Sequence, residues 1–191
     1  MSDPDHVLEG ERVALGPLRT DLADTYRRWV HDLEVRRGIL TAGLYALEAE
    51  EEWVRETIAK CAGQAPEQAS FTIYDLSDGA AVGTTGLMGI DWRLRRATFG
   101  IALGARRGQG LGTEATRLAL DWAFNMLGLH NVILSVLPSN VGAIRAYEKA
   151  GFRHLSVRRA AIVSLNRRCD EILMDAVPNE FQSPVLAAQR A

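Results

Sequence analysis

The chain has 191 residues, a formal net charge of −2, 47% hydrophobic and 24% charged residues, which is typical of one globular domain with a substantial core. The near-neutral charge argues against a nucleic-acid binder that depends on a broad basic field, and the longest apolar stretches are too short to span a bilayer. The acidic, polar start is not typical of a signal peptide, and Cys61 and Cys169 lack metal-ligand spacing, so we expect a cytoplasmic protein with free thiols, no metal and no membrane partner.

The first ninety residues predict three strands and two helices. Thr20 or Asp21 can cap the first helix, and a glycine-containing loop at 36–45 leads to the second. Asp78-Gly79 is a turn signal between the second and third strands. The predicted strands are Arg12–Leu18, Phe71–Asp75 and Ala81–Ile90. The predicted apolar helix faces are Leu22, Tyr26, Trp29 and Val30 in the first helix, and Leu47, Val54, Ile58 and Cys61 in the second.

The rest of the chain predicts four strands and two helices around a glycine-rich loop. A long helix covers Gly112–Leu127, and a short helix over Asn140–Ala150 stops at Gly151. The predicted strands are Ala97–Leu103, Val132–Leu137, Arg153–Val163 and Asp170–Val177. The order predicts a single α/β (α+β) domain over residues 1–178 with a mixed sheet, about seven strands and about four helices, followed by a loose tail at 179–191.

The glycine-rich loop Arg106–Thr113 is the most informative segment, because it lies between a strand and a strong helix. Three glycines at alternate positions, Gly108, Gly110 and Gly112, let the backbone approach a ligand closely. Free N–H groups of the loop and the positive end of the helix dipole would together hold a pyrophosphate. A tight structural turn with a helix cap is the alternative interpretation of the loop on its own.

Two other kinds of phosphate loop are excluded by spacing. A nucleotide-hydrolase P-loop needs Lys-Ser/Thr after its last glycine, where this chain has Thr113-Glu114. A dinucleotide-binding fingerprint needs a third glycine at the position of Thr113. The missing lysine is consistent with a ligand that is held but not hydrolysed at its phosphates.

Two motifs together resemble the GNAT superfamily of N-acetyltransferases. Arg107-Gly108-Gln109-Gly110-Leu111-Gly112 is similar to the pyrophosphate signature Q/R-x-x-G-x-G/A, and Asn140–Phe152 is similar to the N-x-x-A-x-x-Y-E-K-x-G-F block. The motifs Tyr26-Arg27-Arg28-Trp29, Leu127–His130 and Asp170–Met174 resemble the branch of ribosomal-protein alanine and spermidine N-acetyltransferases. The resemblance covers roughly Gly10 to Val177 and implies a mostly antiparallel sheet in which two strands splay apart around CoA.

The resemblance implies an acetyl-CoA site, or a site for another acyl-CoA, built mainly from backbone. The groups of Ile101, Ala102 and Leu103 would bind the pantetheine and the thioester carbonyl. Asn140 would cap its helix and also contact CoA. The cofactor-binding residues implied are Ile101, Ala102, Leu103, Arg107, Gly108, Gln109, Gly110, Leu111, Gly112, Thr113, Asn140, Ala143 and Tyr147.

Tyr147 is the best catalytic candidate, although a packed aromatic residue is the alternative. Its spacing of seven from Asn140 places both on one helix face, and a phenol can protonate a departing thiolate. The general base is harder to identify, because Thr98 occupies the position where many relatives have a glutamate. Asp91, at the end of a strand, is the first catalytic-base candidate, with Asp170 or a water chain as alternatives.

The resemblance implies that the acceptor is a small-molecule amine or a peptide N-terminus, bound near Trp29–Tyr45, Asp91–Trp92 and Ala160–Arg168. His31 could line that pocket, whereas His130 is predicted to be structural. Glu48–Glu52 would attract polyamines or form a solvated acidic helix start. A non-catalytic CoA-binding sensor and a self-resistance or biosynthetic acyltransferase are the competing functions, and the resemblance also implies a homodimer.

Overall fold

The computed structural model describes residues 5–39, 41, 43–164 and 166–186, and these form an eight-stranded mixed sheet. The strand order is β1-β2-β3-β4-β5-β6-β8-β7, and every neighbouring pair is antiparallel except β5 and β6. The strands are β1 (Leu8–Glu9), β2 (Val13–Pro17), β3 (Ala69–Asp75), β4 (Ala80–Asp91), β5 (Arg96–Leu103), β6 (Asn131–Val136), β7 (Arg153–Ser164) and β8 (Arg167–Ala176).

Within the described part of the chain, five α-helices cover the two faces of this sheet. They are α1 (Ala23–His31), α2 (Leu33–Ile39), α3 (Leu47–Lys60), α4 (Leu111–Asp121) and α5 (Val141–Ala150). Alternate residues of β3 face opposite layers: Phe71 and Ile73 join the main core with α4, whereas Thr72 bonds Tyr26 of α1, Oγ1 to Oη at 2.6 Å. No helix in the described ranges is long and apolar enough to cross a membrane.

Strands β5 and β6 pair for only three rungs and then separate. The parallel register runs Arg96↔Asn131, Ala97↔Val132 and Thr98↔Ile133, yet β5 continues to Leu103 and β6 to Val136. Backbone groups that face the gap beyond Thr98 therefore lack a neighbouring strand to bond with. The predicted fold class and the splay are confirmed.

The sequence did not predict two of the observed elements, β1 and α2. Strand β1 raises the number of strands from about seven to eight, and α2 raises the number of helices from about four to five. Helix α2 occupies part of the predicted 36–45 loop because Asp32 caps its start: Oδ1 accepts from the N–H groups of Glu34 (2.9 Å) and Val35 (3.1 Å). A side-chain cap outweighs the glycine in so short a helix.

The inner face of α3 differs from the prediction. Glu50, Val54 and Thr57 are buried, whereas Leu47 and Ile58 are 38% and 39% exposed. Burial raises the pKa of Glu50, an effect that the charge of Arg27 opposes. The prediction of a wholly solvated acidic helix start is therefore wrong at Glu50.

The expectation of a loose end after Pro178 is wrong for residues 179–186, while 187–191 lie outside the described residues. Asp121, at the end of α4, is fully buried and holds this segment. Its Oδ1 accepts from Ser183 Oγ at 2.6 Å, and its Oδ2 accepts from the N–H groups of Val185 and Leu186 at 2.9 Å each. Leu186 is 8% exposed, so the segment completes the core.

Candidate active site

A cleft of about 700 Å³ opens where β5 and β6 diverge. Its walls are the ends of these two strands, α2, the 104–110 loop with the start of α4, and α5. Both main-chain edges left unpaired by the splay border this space, so an extended ligand with amide groups can bond there as a strand would.

The loop at the start of α4 presents free N–H groups. Gly108 and Gly110 have φ angles of 78° and 87°, in the left-handed region that favours glycine. No backbone N–H from Arg106 to Gly112 has an acceptor within the described parts of the chain. Together with the positive end of the α4 dipole, these groups form an anion-binding cradle, the name used below for residues 107–113.

Two arginines fix the cradle from outside. Arg106 forms ion pairs with Asp75 and Asp78, with Nη1 bonding Asp78 Oδ1 at 2.9 Å. Arg12 Nη1 donates to the carbonyl of Gln109 at 2.8 Å. The side-chain bond from Ser77 and the ion pair with Arg106 lower the pKa of Asp75 to about 2, so this anchor persists at any pH near neutrality. These contacts of Arg106 and Arg12 join residues that are far apart in the sequence, so the glycine-rich motif does not predict them.

Arg107, the arginine within the cradle itself, reaches across to the N-terminus of α2. Its Nη1 lies 3.0 Å from Asp32 Oδ1 and 3.1 Å from Glu34 Oε2. The hydrogen bond from Arg107 and the N–H of Val35 lower the pKa of Asp32 to about 2. The guanidinium therefore ties α2 to the cradle.

Tyr147 lies on the cleft-facing side of α5, against an aromatic cluster. Its ring packs edge-on to Phe99 and Phe152, with centroids 6.1 and 6.0 Å away. Burial raises the pKa of Tyr147 to about 12. Its hydroxyl has no hydrogen-bond partner among the described residues, so a protonated donor faces the cleft.

Asn140 combines a helix cap with a free amide. Its Oδ1 accepts from the N–H of Ala143 at 3.2 Å, as an N-cap does. Its Nδ2 is turned toward α2, where a Cβ added to Gly38 would lie 3.8 Å from it. Since Asn140 also lines the cleft, the Nδ2 donor is available there.

The structure brings together most of the residues that the resemblance selected. Eleven of the thirteen predicted cofactor-binding residues line the cleft; Gln109 and Leu111 do not. Leu111 is 1% exposed and belongs to the core, so its side chain cannot contact a ligand. The carbonyl of Gln109 is taken by Arg12.

The carboxylates proposed as general base do not lie in the cleft. Asp91 ends β4 opposite Arg96, at the paired end of β5 and away from the splay. Its Oδ1 accepts from the N–H groups of Arg93 (3.0 Å) and Leu94 (2.9 Å), so it organises a turn. Asp170 Oδ1 accepts from the N–H of Ala160 at 2.9 Å in the β7–β8 hairpin. The structure therefore does not bring Asp91 to Tyr147.

The two histidines considered in the sequence have structural contacts. His31 Nε2 accepts from the N–H of Tyr45 at 3.1 Å and closes the connection after α2. The N–H of His130 donates to the carbonyl of Arg95 at 2.6 Å, at the far end of the sheet. Neither residue lines the cleft.

A close contact that the sequence did not reveal lies between Trp29 and Gly104. A Cβ at Gly104 would lie 1.9 Å from Cγ of Trp29, so only glycine lets the indole rest against the end of β5. Trp29 thereby braces the chain just before the cradle.

Comparison with known proteins agrees with this geometry. The chain is 40% identical over 95 residues to the probable N-acetyltransferase YjcK of Bacillus subtilis, covering 49% of this chain and 52% of that protein. It is also 40% identical over 76 residues to spermidine N(1)-acetyltransferase of Escherichia coli K12, covering 39% and 41%. The aligned parts thus span about half or less of these relatives.

One solved structure shares the fold over almost the whole chain. RimJ of Mycobacterium smegmatis, in complex with CoA-disulfide, superposes with a TM-score of 0.83 at 22% identity, covering 98% of this chain and 96% of that one. The model of the acetyltransferase (GNAT) domain matches residues 12–153. Because that match extends over well more than half of the sequence and includes the cradle and α5, the chain belongs to the GNAT acetyltransferase family.

Proposed function

We propose that the protein is an acetyl-CoA-dependent N-acetyltransferase that acetylates the amine of a small molecule. The observation that carries this proposal is the row of free N–H groups from Arg106 to Gly112 at the mouth of the splayed strands. Pyrophosphate is the part of CoA that such a cradle fits. Family membership and the names of the relatives support the same activity.

The binding roles follow from the kind of groups that each wall offers. The cradle holds the pyrophosphate through backbone N–H groups and the α4 dipole. The unpaired edge of β5 at Ile101–Leu103 holds the pantetheine amides and places an N–H at the thioester carbonyl, where negative charge develops. Asn140 Nδ2 donates from the opposite wall.

Acetyl-CoA supplies an activated acetyl group as a thioester. The acceptor nitrogen bonds to the carbonyl carbon, the carbon–sulfur bond breaks, the nitrogen loses one proton as the amide forms, and the thiolate gains one. Tyr147 is the proposed donor to the sulfur. Since its pKa is about 12, the phenol is protonated at every physiological pH, and a hydrogen bond to the thiolate is its first contribution.

The amine must reach the thioester without its extra proton. Glu34 is the carboxylate among the described cleft-lining residues, and it is ion-paired with Arg107 at 3.1 Å. We therefore propose that the acceptor loses its proton to water rather than to a protein base. The free-base fraction of the amine then sets the rate.

Small-molecule amines are the proposed acceptors, in keeping with the spermidine N(1)-acetyltransferase relative; a peptide N-terminus would use the same chemistry. A non-catalytic sensor is not favoured, because Tyr147 and the cradle both line the cleft. No observation favours a self-resistance or biosynthetic role.

We also propose that two copies pair through β7, in the cytoplasm. Among the described residues, the β7–β8 ribbon beyond the β6–β8 pairing (158–164 and 166–171) has no third strand beside it, and Leu155, Val157 and Val163 are 56%, 55% and 67% exposed. Two-stranded ribbons are marginal in water, and a second copy would protect this edge. The free thiols of Cys61 and Cys169 fit a reducing compartment.

Release of free thiol from acetyl-CoA, with and without a panel of amines, tests the proposed activity. Amine-dependent release accompanied by a mass increase of one acetyl group on the amine is the expected result. Tight acetyl-CoA binding without amine-dependent release would support the sensor alternative instead.

A further inference from the structure

The cleft walls carry an excess of positive charge. Of the described residues that line the cleft, four are basic and one is acidic. They are Arg37, Arg107, Arg145, Lys149 and Glu34. A ligand that enters this space is therefore favoured if its own charge is negative.

The single carboxylate of these walls is already engaged. Glu34 Oε2 lies 3.1 Å from Arg107 Nη1, and the same nitrogen lies 3.0 Å from Asp32 Oδ1. An acceptor with a second ammonium group would have to compete with Arg107 for Glu34. A polycation thus meets three basic residues outside this ion pair, Arg37, Arg145 and Lys149, without a free carboxylate on the described walls to offset them.

The phosphates of CoA would neutralise some of the basic residues of the cleft but not all of them. Its pyrophosphate and 3′-phosphate are anionic, and Arg107 in the cradle and the pair Arg145 and Lys149, one turn apart on α5, can neutralise them. Arg37 stands on another wall, in the last turn of α2. Arg107 contacts Asp32 and Glu34 at the start of α2, so Arg37 and Arg107 lie near opposite ends of this helix.

Arg37 also has no partner of its own. Within the described ranges it forms neither an ion pair nor a hydrogen bond, in contrast to Arg36, whose Nη2 donates to the carbonyl of Gly43. An arginine that is unpaired and faces a ligand cleft is suited to bind a carboxylate through two parallel hydrogen bonds.

We propose that the acceptor is an amine that also carries a carboxylate, and that Arg37 binds this carboxylate. The inference rests on the proposed acetyltransferase function and specifies its substrate class. Arg37 orients the acceptor so that its amine points to the thioester, and the unpaired guanidinium disfavours acceptors with several ammonium groups.

Matched pairs of acceptors test this proposal. Thiol release from acetyl-CoA is measured with α- and ω-amino acids, with their carboxamides, and with spermidine, and kcat/KM is corrected for the free-base fraction of each amine. We expect the best amino acid to exceed its carboxamide by about tenfold or more, the usual effect of a lost charged hydrogen bond, and spermidine to be the poorest acceptor.

Two variants locate the effect at Arg37. Arg37→Gln should bring the amino acid and its carboxamide within about threefold of each other, while the acetyl-CoA affinity changes by less than about threefold. Arg93→Gln is the control, because Arg93 is exposed in the turn after β4 and outside the cleft, and it should leave both quantities unchanged.

Three results would overturn the proposal. The first is a kcat/KM for spermidine or for the carboxamides that equals that of the amino acids in the wild type. The second is an Arg37→Gln variant with weaker acetyl-CoA binding and an unchanged acceptor preference, which would make Arg37 a cofactor ligand. If no amine in the panel accelerates thiol release although acetyl-CoA binds, the acetyltransferase function fails as well, an outcome distinct from the other two.

Discussion

At the scale of single residues, the sharpest prediction concerns the hydroxyl of Tyr147. The variant Tyr147→Phe keeps the ring that packs on Phe99 and Phe152 and deletes only the hydroxyl. Turnover should fall by about a hundredfold, the typical contribution of a general acid–base group, while acetyl-CoA affinity changes by less than about tenfold. Single-turnover kinetics measures the chemical step directly. A loss of less than about threefold would make Tyr147 a packing residue.

The raised pKa of Tyr147 also predicts the form of the pH profile. A proton donor loses activity as the pH rises through its pKa, and this pKa is about 12. Below the pKa of the amine, kcat/KM should rise about tenfold per pH unit because the free-base fraction does so. No descending limb is expected below about pH 10. A descending limb with an apparent pKa below about 9 would contradict the assignment to Tyr147.

The sequence predicted the positions of some site residues correctly and of others not. The glycines of the cradle and Tyr147 were selected by motif spacing, and they do line the cleft. Asp91 was selected because it ends a strand, but the direction of β4 carries it to the other end of the sheet. Arg37 lies within the range Trp29–Tyr45 predicted for the acceptor, but it was not singled out, because a charged residue in a predicted loop gives no signal until α2 brings it to the cleft.

At the scale of elements, the buried end of α4 holds the C-terminal segment. Asp121→Ala removes the acceptor of three bonds from residues 183–186 and of one from Asn125, and it leaves the N–H groups of Val185 and Leu186 unpaired. We expect a loss of about 2–4 kcal/mol in the free energy of unfolding, since hydrogen bonds to a buried charge are among the strongest. Chemical denaturation measures this loss.

Asp121→Asn is the matched control for that variant, because it keeps the shape of the side chain and one accepting oxygen. It should lose clearly less stability than Asp121→Ala. Equal stability of Asp121→Ala and the wild type would mean that residues 183–186 do not add to the core.

The elements themselves were largely predictable where periodicity was strong. The α5 pattern and the Asp78-Gly79 turn are found where the sequence placed them, whereas the helix predicted over Gly112–Leu127 is α-helical over Leu111–Asp121 and continues as a π-helix over Trp122–Met126. Helix α2 was not predictable from periodicity, because its seven residues are stabilised by the Asp32 cap and by Arg107 from the cradle. Such long-range pairs arise only after the sheet has formed.

At the scale of the whole molecule, the splay of β5 and β6 was predicted only through the family resemblance. No residue pattern in either strand predicts where their pairing stops. In the structure the last paired residues are Thr98 and Ile133, and the two strands diverge beyond them. By contrast, Val132, Leu134 and Val136, which belong to a strand that the apolar sequence run predicts, do lie in the main core.

The exposed edge of β7 predicts self-association. Val157→Glu adds a charge to a side chain that is 55% exposed, so it should leave the fold intact while it weakens pairing of two copies. Light scattering at micromolar concentration should give the mass of a dimer for the wild type and of a monomer for the variant. A monomer mass for the wild type would contradict the proposed dimer.

The central claim is that the cradle binds the pyrophosphate of acetyl-CoA, and calorimetric titration of Gly110→Asp tests it most directly. Gly110 has φ 87°, and aspartate there adds a side chain and a negative charge beside the free N–H groups. Gly63→Asp is the matched control, because Gly63 has φ 91° in a loop outside the cleft. We predict that acetyl-CoA affinity falls at least about tenfold in Gly110→Asp and is unchanged in Gly63→Asp. Unchanged affinity in a folded Gly110→Asp protein would contradict the account.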